Sequence, residues 1–284
     1  MPAVLQNFCF LAHVINGKFF TMKNTIILIH GMFQNPKSWH NWITYFESKG
    51  YDVLAPSWPL HDGEPAELRN NPPSELGNLR LETIISEFET IIQRLPEKPV
   101  VIGHSVGGLI TQILVNRKLA KLGIAISSVA PNKMIDFDWS FIKNAATIAN
   151  PLKGDDYIPM DVETFHAAFA NTLSEADALL AFEKTATHDS RNVFRDCMSS
   201  VADIDVDEPH VPLLFVAGAE DKICPADLNE KNAKAYTDAG SVTEIVEFPN
   251  RSHFICNEPG WEEVVETVEK WLAKQENTIV TNEA

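Results

Sequence analysis

Short apolar runs recur along most of the chain, and most are followed by a stretch whose apolar residues are three or four positions apart. An unbroken apolar run predicts a strand buried on both faces, and the wider spacing predicts an amphipathic helix. The predicted strands are TIILIH (25–30), YDVLAP (51–56), PVVIGH (99–104), GIAISSVA (123–130), PLLFVAG (212–218) and TEIVEF (243–248). The predicted helices are Pro36–Lys49, Leu79–Leu95, Gly107–Lys121, Pro225–Asp238 and Glu258–Lys274.

This alternation of strand and helix predicts an α/β fold with a mostly parallel central sheet flanked by helices, since a parallel connection needs a helix-length crossover. From about residue 131 to 209 only helices are predicted: Phe137–Ala149, Asp161–Asn171, Ser174–Thr185 and Arg191–Ser200. We interpret residues 132–209 as a helical cap inserted into a core formed by residues 22–131 and 210–276. Repeated prolines after the second strand predict a long loop, and the tail ENTIVTNEA is expected to fray.

Residues 1–21 do not follow this pattern. The segment FCFLAHVINGKFF is apolar, but no Lys or Arg precedes it and His13 interrupts it, which disfavours a secretory signal. Asn16-Gly17 between two apolar runs indicates a β-hairpin. A third interpretation makes Met22 the natural start. Under each of them we expect the segment to be peripheral to function.

Composition and charge narrow the possible partners. A chain of 284 residues can bury a sufficient core without disulfides or metals. Its net charge of −16 disfavours nucleic acid and anionic membranes, because phosphate binding requires clustered Lys and Arg. Four scattered cysteines without a CxxC pair favour a reducing, cytoplasmic setting, and no stretch approaches the length of a membrane span. No metal or cofactor is expected, and a homodimer is possible.

Polar residues with complementary chemistry follow three of the predicted strands. In an open parallel sheet, ligands bind beyond the carboxyl ends of the strands. Ser105 follows PVVIGH, Asp221 follows PLLFVAG, and His253 follows TEIVEF and a short loop. A serine hydroxyl becomes a useful nucleophile when an imidazole takes its proton, and a carboxylate fixes that imidazole. We therefore predict a Ser105–His253–Asp221 catalytic triad, whereas a structural turn around Ser105 would need only its flanking glycines.

Other residues compete for two of these roles. The alternatives for the carboxylate are Glu220, Asp136 and Asp138, but the spacing from Gly218 and the following Pro225 favour Asp221. The alternatives for the base are His30, His104 and His61. Among the histidines, only His253 follows the last strand, so it is the better candidate.

The remaining predictions concern the oxyanion and the substrate. The backbone N–H of Val106 is one expected oxyanion donor, and the loop after the first strand supplies the other, from Met32 or, as the alternative, Phe33. Phe33, Trp58 and His61 are candidate substrate-binding residues, although a surface loop that carries Trp58, His61 and Asp62 is equally compatible with the sequence. The cap phenylalanines Phe165, Phe169 and Phe182 are expected to form the core of the cap.

The motifs IILIHGMF, VVIGHSVGG, AGAEDKICP and PNRSHF together resemble the α/β-hydrolase fold superfamily. The resemblance extends from Thr25 to about Lys274 and implies a cofactor-free serine hydrolase that cleaves a small ester or lactone. The stretches HGMFQNPKSWHNW, SWPLHDGEPAELR and FPNRSHF are similar to a subgroup that includes quorum-quenching acyl-homoserine lactonases, which makes such a lactone the favoured substrate. Carbon–carbon bond hydrolysis, perhydrolase activity and non-catalytic ligand binding are the alternatives.

Overall fold

A computed structural model describes residues 14–15, 18–19, 23–131 and 153–283. Its centre is a six-stranded sheet in which every neighbouring pair of strands is parallel. The chain's strands are β1 Val14–Ile15, β2 Lys18–Phe19, β3 Lys23–Ile29, β4 Tyr51–Leu54, β5 Val100–His104, β6 Leu122–Ile126, β7 Tyr157–Ile158, β8 Asp189–Ser190, β9 Leu213–Gly218 and β10 Thr243–Phe248. The central sheet has the order β10-β9-β6-β5-β3-β4, which confirms the predicted α/β class.

Helices cover both faces of this sheet. The α-helices are α1 His40–Ser48, α2 Pro65–Asn70, α3 Leu81–Ile92, α4 Val106–Asn116, α5 Val162–Thr164, α6 Glu175–Thr185, α7 Arg191–Cys197, α8 Ala226–Ala235 and α9 Trp261–Glu283. A π-helix spans Phe165–Phe169, and 3-10 turns span Pro36–Trp39, Leu76–Asn78 and Ser200–Ala202. Every helix in these ranges is too short or too polar to cross a bilayer.

Strand β3 shows how the apolar runs build two cores. Ile27 and Ile29 belong to the cluster that contains the apolar residues of α3 and α4, whereas Ile26 and Leu28 pack into the cluster formed with α1 and α9. Successive residues of a strand point to opposite faces, so an unbroken apolar run supplies both clusters. The cap aromatics belong to the first cluster, so the described part of the cap shares an apolar core with the sheet.

The β-hairpin interpretation of the N-terminal segment agrees with the structure, because β1 and β2 pair antiparallel on either side of residues 16–17. The expected loop after the second strand contains α2, since Pro65 occupies the first helical turn, where a proline is favourable. The expected fraying of the tail is wrong: α9 continues to Glu283 through a stretch without Gly or Pro. That helix begins after Gly260, whose φ of +89° prevents the expected start at Glu258.

The cap combines expected helices with a small sheet. Helices α6 and α7 lie within the predicted ranges, and the π-helix continues α5 over most of the third. The predicted helix Phe137–Ala149 lies outside the described residues. The expectation that the cap lacks strands is wrong, because β7 and β8 pair antiparallel. Two-residue strands are too short to give a periodic pattern, so the sequence could not have predicted them.

Candidate active site

Ser105 occupies a sharp turn between β5 and α4 at the carboxyl end of the sheet. Its φ of 57° and ψ of −119° place a non-glycine residue in a sparsely populated backbone conformation. Hydrogen bonds hold it there: its N–H donates to the Ile126 carbonyl, and its own carbonyl accepts the N–H groups of Gly108 and Val129. A Cβ at Gly103 would lie 1.9 Å from the Gly107 carbonyl oxygen, so the turn requires glycine at that position.

His253 and Asp221 form a buried pair. The imidazole Nδ1 lies 2.8 Å from Asp221 Oδ2, and both side chains are fully inaccessible to solvent. The other carboxylate oxygen of Asp221 accepts the N–H groups of Ile223 and Cys224, each at 2.8 Å, which fixes its orientation. A carboxylate partner requires Nδ1 to carry the proton, so Nε2 keeps a lone pair. Nε2 is buried and has no hydrogen-bond partner among the residues that the structure describes.

His104 supports the loop that carries His253. Its Nε2 lies 2.7 Å from the His253 carbonyl oxygen, and the two imidazole rings are 4.6 Å apart. Burial and the neighbouring His253 lower the pKa of His104 well below its ordinary value, so it stays neutral and donates this hydrogen bond. His104 therefore positions the loop of His253.

Of the alternatives for the carboxylate, Glu220, the neighbour of Asp221, is exposed. Asp136 and Asp138 lie outside the described residues.

The loop after β3 approaches Ser105 closely. A Cβ at Gly31 would lie 2.7 Å from the Ser105 Cβ, so Gly31 packs directly against the serine. Met32 and Phe33 are the next residues in the sequence. The Phe33 N–H donates to Asp189 Oδ2 at 2.8 Å. The Val106 N–H lies in the first turn of α4, where N–H groups have no intrahelical acceptor. Met32 and Val106 thus remain the available backbone donors among those that the sequence predicted.

A model of the alpha/beta hydrolase family matches residues 26–267. The chain belongs to the alpha/beta hydrolase family. Comparison with curated proteins finds no match. Among solved structures, this hydrolase is similar to a monoacylglycerol lipase from Paleococcus ferrophilus, with 21% identity and a TM-score of 0.66 over 88% of this chain and 94% of the lipase.

Two further structures share the fold at lower identity. A polyneuridine aldehyde esterase is 16% identical, with a TM-score of 0.64 over 87% of this hydrolase and 98% of the esterase. The tomato methylketone synthase I complexed with 2-tridecanone is 15% identical, with a TM-score of 0.66 over 89% of this hydrolase and 99% of the synthase. At these identities the similarity establishes the fold.

Trp58 and His61 are buried in this hydrolase, each about 1% exposed. The Trp58 ring stacks on His30 at 4.6 Å, and the Trp58 N–H donates to His30 Nε2. Burial, and then the nearby His61, lower the pKa of His30 to about 3, which keeps this imidazole neutral. His61 Nε2 lies 3.3 Å from Asp189 Oδ2. No sequence pattern indicated Asp189, because His61 and Phe33, which it contacts, lie in distant parts of the chain.

One short cap segment, residues 169–172, forms hydrogen bonds with the loops of both Asp221 and His253. The Phe254 N–H donates to the Phe169 carbonyl, and Asn171 Nδ2 donates to the Glu220 carbonyl. The Thr172 hydroxyl donates to Glu258, a buried carboxylate that also accepts the N–H and hydroxyl of Ser252. From the sequence, no role in the site was predicted for Thr172 or Glu258, which together link the cap to Ser252, the neighbour of His253.

The cap aromatics do more than form the core of the cap. The Phe169 ring meets His253 edge-on at 5.1 Å and Phe33 edge-on at 5.9 Å, while Phe165 stacks on Phe169. Phe169 ends the π-helix, a helix type that is frequent at functional sites. Phe169 therefore places an apolar ring against the imidazole of His253, and Phe33 and Phe165 pack against Phe169. No group of His, Cys, Asp and Glu within the described residues is arranged to hold a metal ion.

Proposed function

We propose that this hydrolase cleaves a small carboxylic ester or lactone through an acyl-enzyme formed on Ser105. The observation that carries the proposal is the buried His253–Asp221 pair, whose unpartnered Nε2 belongs to the same strand-end region as a serine on a strained turn. A purely structural turn has no use for a buried imidazole and carboxylate. Non-catalytic ligand binding is therefore the weaker alternative.

In this mechanism the Ser105 oxygen attacks the carbonyl carbon while His253 Nε2 takes the hydroxyl proton. Asp221 stabilises the resulting imidazolium through Nδ1. The N–H groups of Met32 and Val106 donate to the oxyanion of the tetrahedral intermediate. The imidazolium then protonates the departing alkoxide, which leaves an acyl-enzyme. Water, deprotonated by His253, attacks the acyl carbon, and the imidazolium then returns this proton to the Ser105 oxygen as the acid leaves.

The favoured substrate within this class is an N-acyl-homoserine lactone. The proposal rests on the subgroup resemblance of HGMFQNPKSWHNW, SWPLHDGEPAELR and FPNRSHF. The ring of Phe169 beside His253, with Phe33 packed against it, suits an acyl chain. The formal charge of −16 suits a neutral small-molecule partner better than nucleic acid or an anionic membrane. The neighbours named above as a lipase and an esterase are consistent with ester chemistry.

Labelling with a fluorophosphonate tests the nucleophile. The wild type should be labelled on Ser105, and Ser105→Ala should not be labelled at all. Ser127→Ala is a matched control, because Ser127 is also a buried serine after a strand with a positive φ, of 43°. This control should label like the wild type. A folded wild-type protein that resists the reagent would refute the catalytic proposal in favour of a ligand-binding role.

A substrate panel tests the finer proposal. Acyl-homoserine lactones and p-nitrophenyl esters of matched chain length should be compared by kcat/KM, with acid release followed in a pH-stat. We expect turnover of both classes and a preference for the lactones. A preference for the linear esters would be consistent with the serine mechanism but would contradict the lactone as the favoured substrate. If neither the lactones nor the esters are turned over, turnover of β-diketones would favour carbon–carbon bond hydrolysis, and turnover of peroxide with short acids would favour perhydrolase activity.

A further inference from the structure

Asp189 is a buried carboxylate that the proposed mechanism does not use. It lies in the cap strand β8 and is inaccessible to solvent. One of its oxygens, Oδ2, accepts the Phe33 N–H at 2.8 Å, and the other accepts the Ser190 N–H at 2.6 Å. Asp189 and Phe33 are 156 positions apart in the sequence, so this hydrogen bond joins the cap strand to the turn that follows Gly31, the neighbour of Ser105.

His61 provides the positive charge that compensates this buried carboxylate. Its Nδ1 lies 3.0 Å from the Pro59 carbonyl oxygen, and its Nε2 lies 3.3 Å from Asp189 Oδ2. Both ring nitrogens therefore face acceptors, which favours the doubly protonated imidazolium. The contact with Asp189 is an ion pair without a well-directed hydrogen bond. Burial is the largest influence and opposes a charge on His61, but Asp189 and the backbone hydrogen bonds to Pro59 and His188 together outweigh it, so the pKa of His61 is raised.

The same cap segment holds the other side of Phe33. The Thr187 N–H donates to the Phe33 carbonyl at 2.9 Å, so Phe33 is hydrogen-bonded through both its N–H and its C=O. Phe33 has a φ of 63°, an unfavourable conformation for a residue with a side chain. Such a conformation persists only where its surroundings enforce it. Asp189 and Thr187 supply two of the enforcing contacts, directly after Met32.

We propose that Asp189, paired with His61, is a positioning residue of the oxyanion site that holds the Met32–Phe33 turn so that the Met32 N–H faces the carbonyl attacked by Ser105. Asp189 also occupies the Phe33 N–H, which leaves Met32 as the donor from this loop. The catalytic part of this inference rests on the proposed function. The structural part, a cap carboxylate that fixes the turn, stands on the contacts alone.

The isosteric variant Asp189→Asn tests this role, because an amide has one acceptor oxygen where the carboxylate has two. In either orientation it directs an NH2 group at the N–H of Phe33 or of Ser190. Asp196→Asn is the matched control. Asp196 is also a buried cap carboxylate that accepts a backbone N–H, from Leu81, and pairs with a cation, Arg80, but neither contact involves the Met32–Phe33 turn.

The first measurement is hydrolysis of p-nitrophenyl acetate, with inhibition by phenylboronic acid as a tetrahedral mimic. In Asp189→Asn we expect kcat to fall by about tenfold or more, KM to change by less than about threefold, and boronate affinity to fall with kcat/KM, because misplaced oxyanion donors act on the transition state. Asp196→Asn should keep kcat within about twofold. An unchanged kcat in Asp189→Asn, or an equal loss in Asp196→Asn, would overturn the proposal.

The second measurement is amide hydrogen exchange at Phe33, which needs no activity. Asp189→Asn should accelerate this exchange, while Asp196→Asn should leave it unchanged. His61→Gln retains the Asp189 carboxylate and should shift Phe33 exchange and kcat in the same direction by a smaller factor. If amide exchange at Phe33 is unchanged in both Asp189→Asn and His61→Gln, Asp189 does not fix the Met32–Phe33 turn, even if the enzyme is active. If amide exchange at Phe33 is faster in these variants but the wild type hydrolyses no ester, Asp189 fixes the turn and only the proposed function is refuted.

Discussion

Single atoms decide the roles of Asp221 and His253. Asp221 Oδ1 accepts two backbone N–H groups and Oδ2 faces His253 Nδ1. In Asp221→Asn, the amide oxygen stays with the backbone donors and the NH2 group faces Nδ1. The imidazole then carries its proton on Nε2, so it cannot accept the proton of Ser105.

We therefore expect Asp221→Asn to lower kcat for p-nitrophenyl acetate by about 10³ to 10⁴-fold, with little change in KM or fold. Steady-state kinetics and the rate of fluorophosphonate labelling check this. Glu220→Gln, a change in the exposed neighbouring acid, should leave both rates within about twofold. Comparable losses in the two variants would mean that charge near the site, and not the tautomer of His253, controls the rate.

At the scale of elements, the cap segment 169–172 connects the loops of Asp221 and His253. Thr172 donates to Glu258, which also holds Ser252 next to His253. Burial raises the pKa of Glu258, and its hydrogen bonds oppose that rise. Removing the Thr172 hydroxyl leaves a buried carboxylate with one donor fewer and loosens the loop of the base.

Thr172→Val should therefore lower the free energy of unfolding by about 1–2 kcal/mol and kcat by about three- to tenfold. Urea unfolding and esterase kinetics measure the two effects. Thr185→Val makes the same chemical change in the cap, but within the described part of the chain that hydroxyl donates only to the Ala181 carbonyl, inside α6. Thr185→Val should therefore leave kcat unaltered. If Thr185→Val slows the reaction as much as Thr172→Val does, loss of cap rigidity, and not the link to Glu258, is responsible.

Features encoded by neighbouring residues could be predicted from the sequence, whereas contacts between distant residues could not. The strands β3, β5 and β9 are apolar runs, and Ser105 and Asp221 follow such runs closely, so both position and chemistry could be inferred from neighbouring residues. Asp189, Thr172 and Glu258 act through partners 156 or 86 positions away or in irregular loops. Neither periodicity nor a motif encodes such contacts, and their importance became visible only once the chain was folded.

At the scale of the whole molecule, the described part of the cap and one face of the sheet share a single apolar cluster. Loosening the cap therefore exposes core surface as well as the loops around Ser105, and stability and activity should respond together to conditions that act on buried groups. Buried neutral histidines are such groups. His30 and His104 both lie at the junction between the sheet and these loops, and burial lowers the pKa of each.

Acid should destabilise the protein through these two histidines. In the unfolded chain they bind protons near pH 6.5, but in the folded protein they stay neutral to much lower pH, so stability is complete above about pH 6.5 and is lost as pH falls. Each histidine costs up to about 1.4 kcal/mol per pH unit, and together they should cost roughly 3 kcal/mol between pH 6.5 and pH 5. His61, whose pKa is raised, is protonated in both states over most of this range and contributes little to the loss.

Urea unfolding followed by tryptophan fluorescence at pH 6.5 and pH 5 measures this loss. His30→Gln should unfold more easily at pH 6.5, because its bonds to Trp58 and Gly31 are disturbed, yet lose only about half as much stability on acidification as the wild type. His40→Gln changes an exposed histidine and should keep the wild-type dependence on pH. An unchanged loss in His30→Gln would assign the acid sensitivity to other groups, because a neutral side chain at position 30 takes up no proton on unfolding.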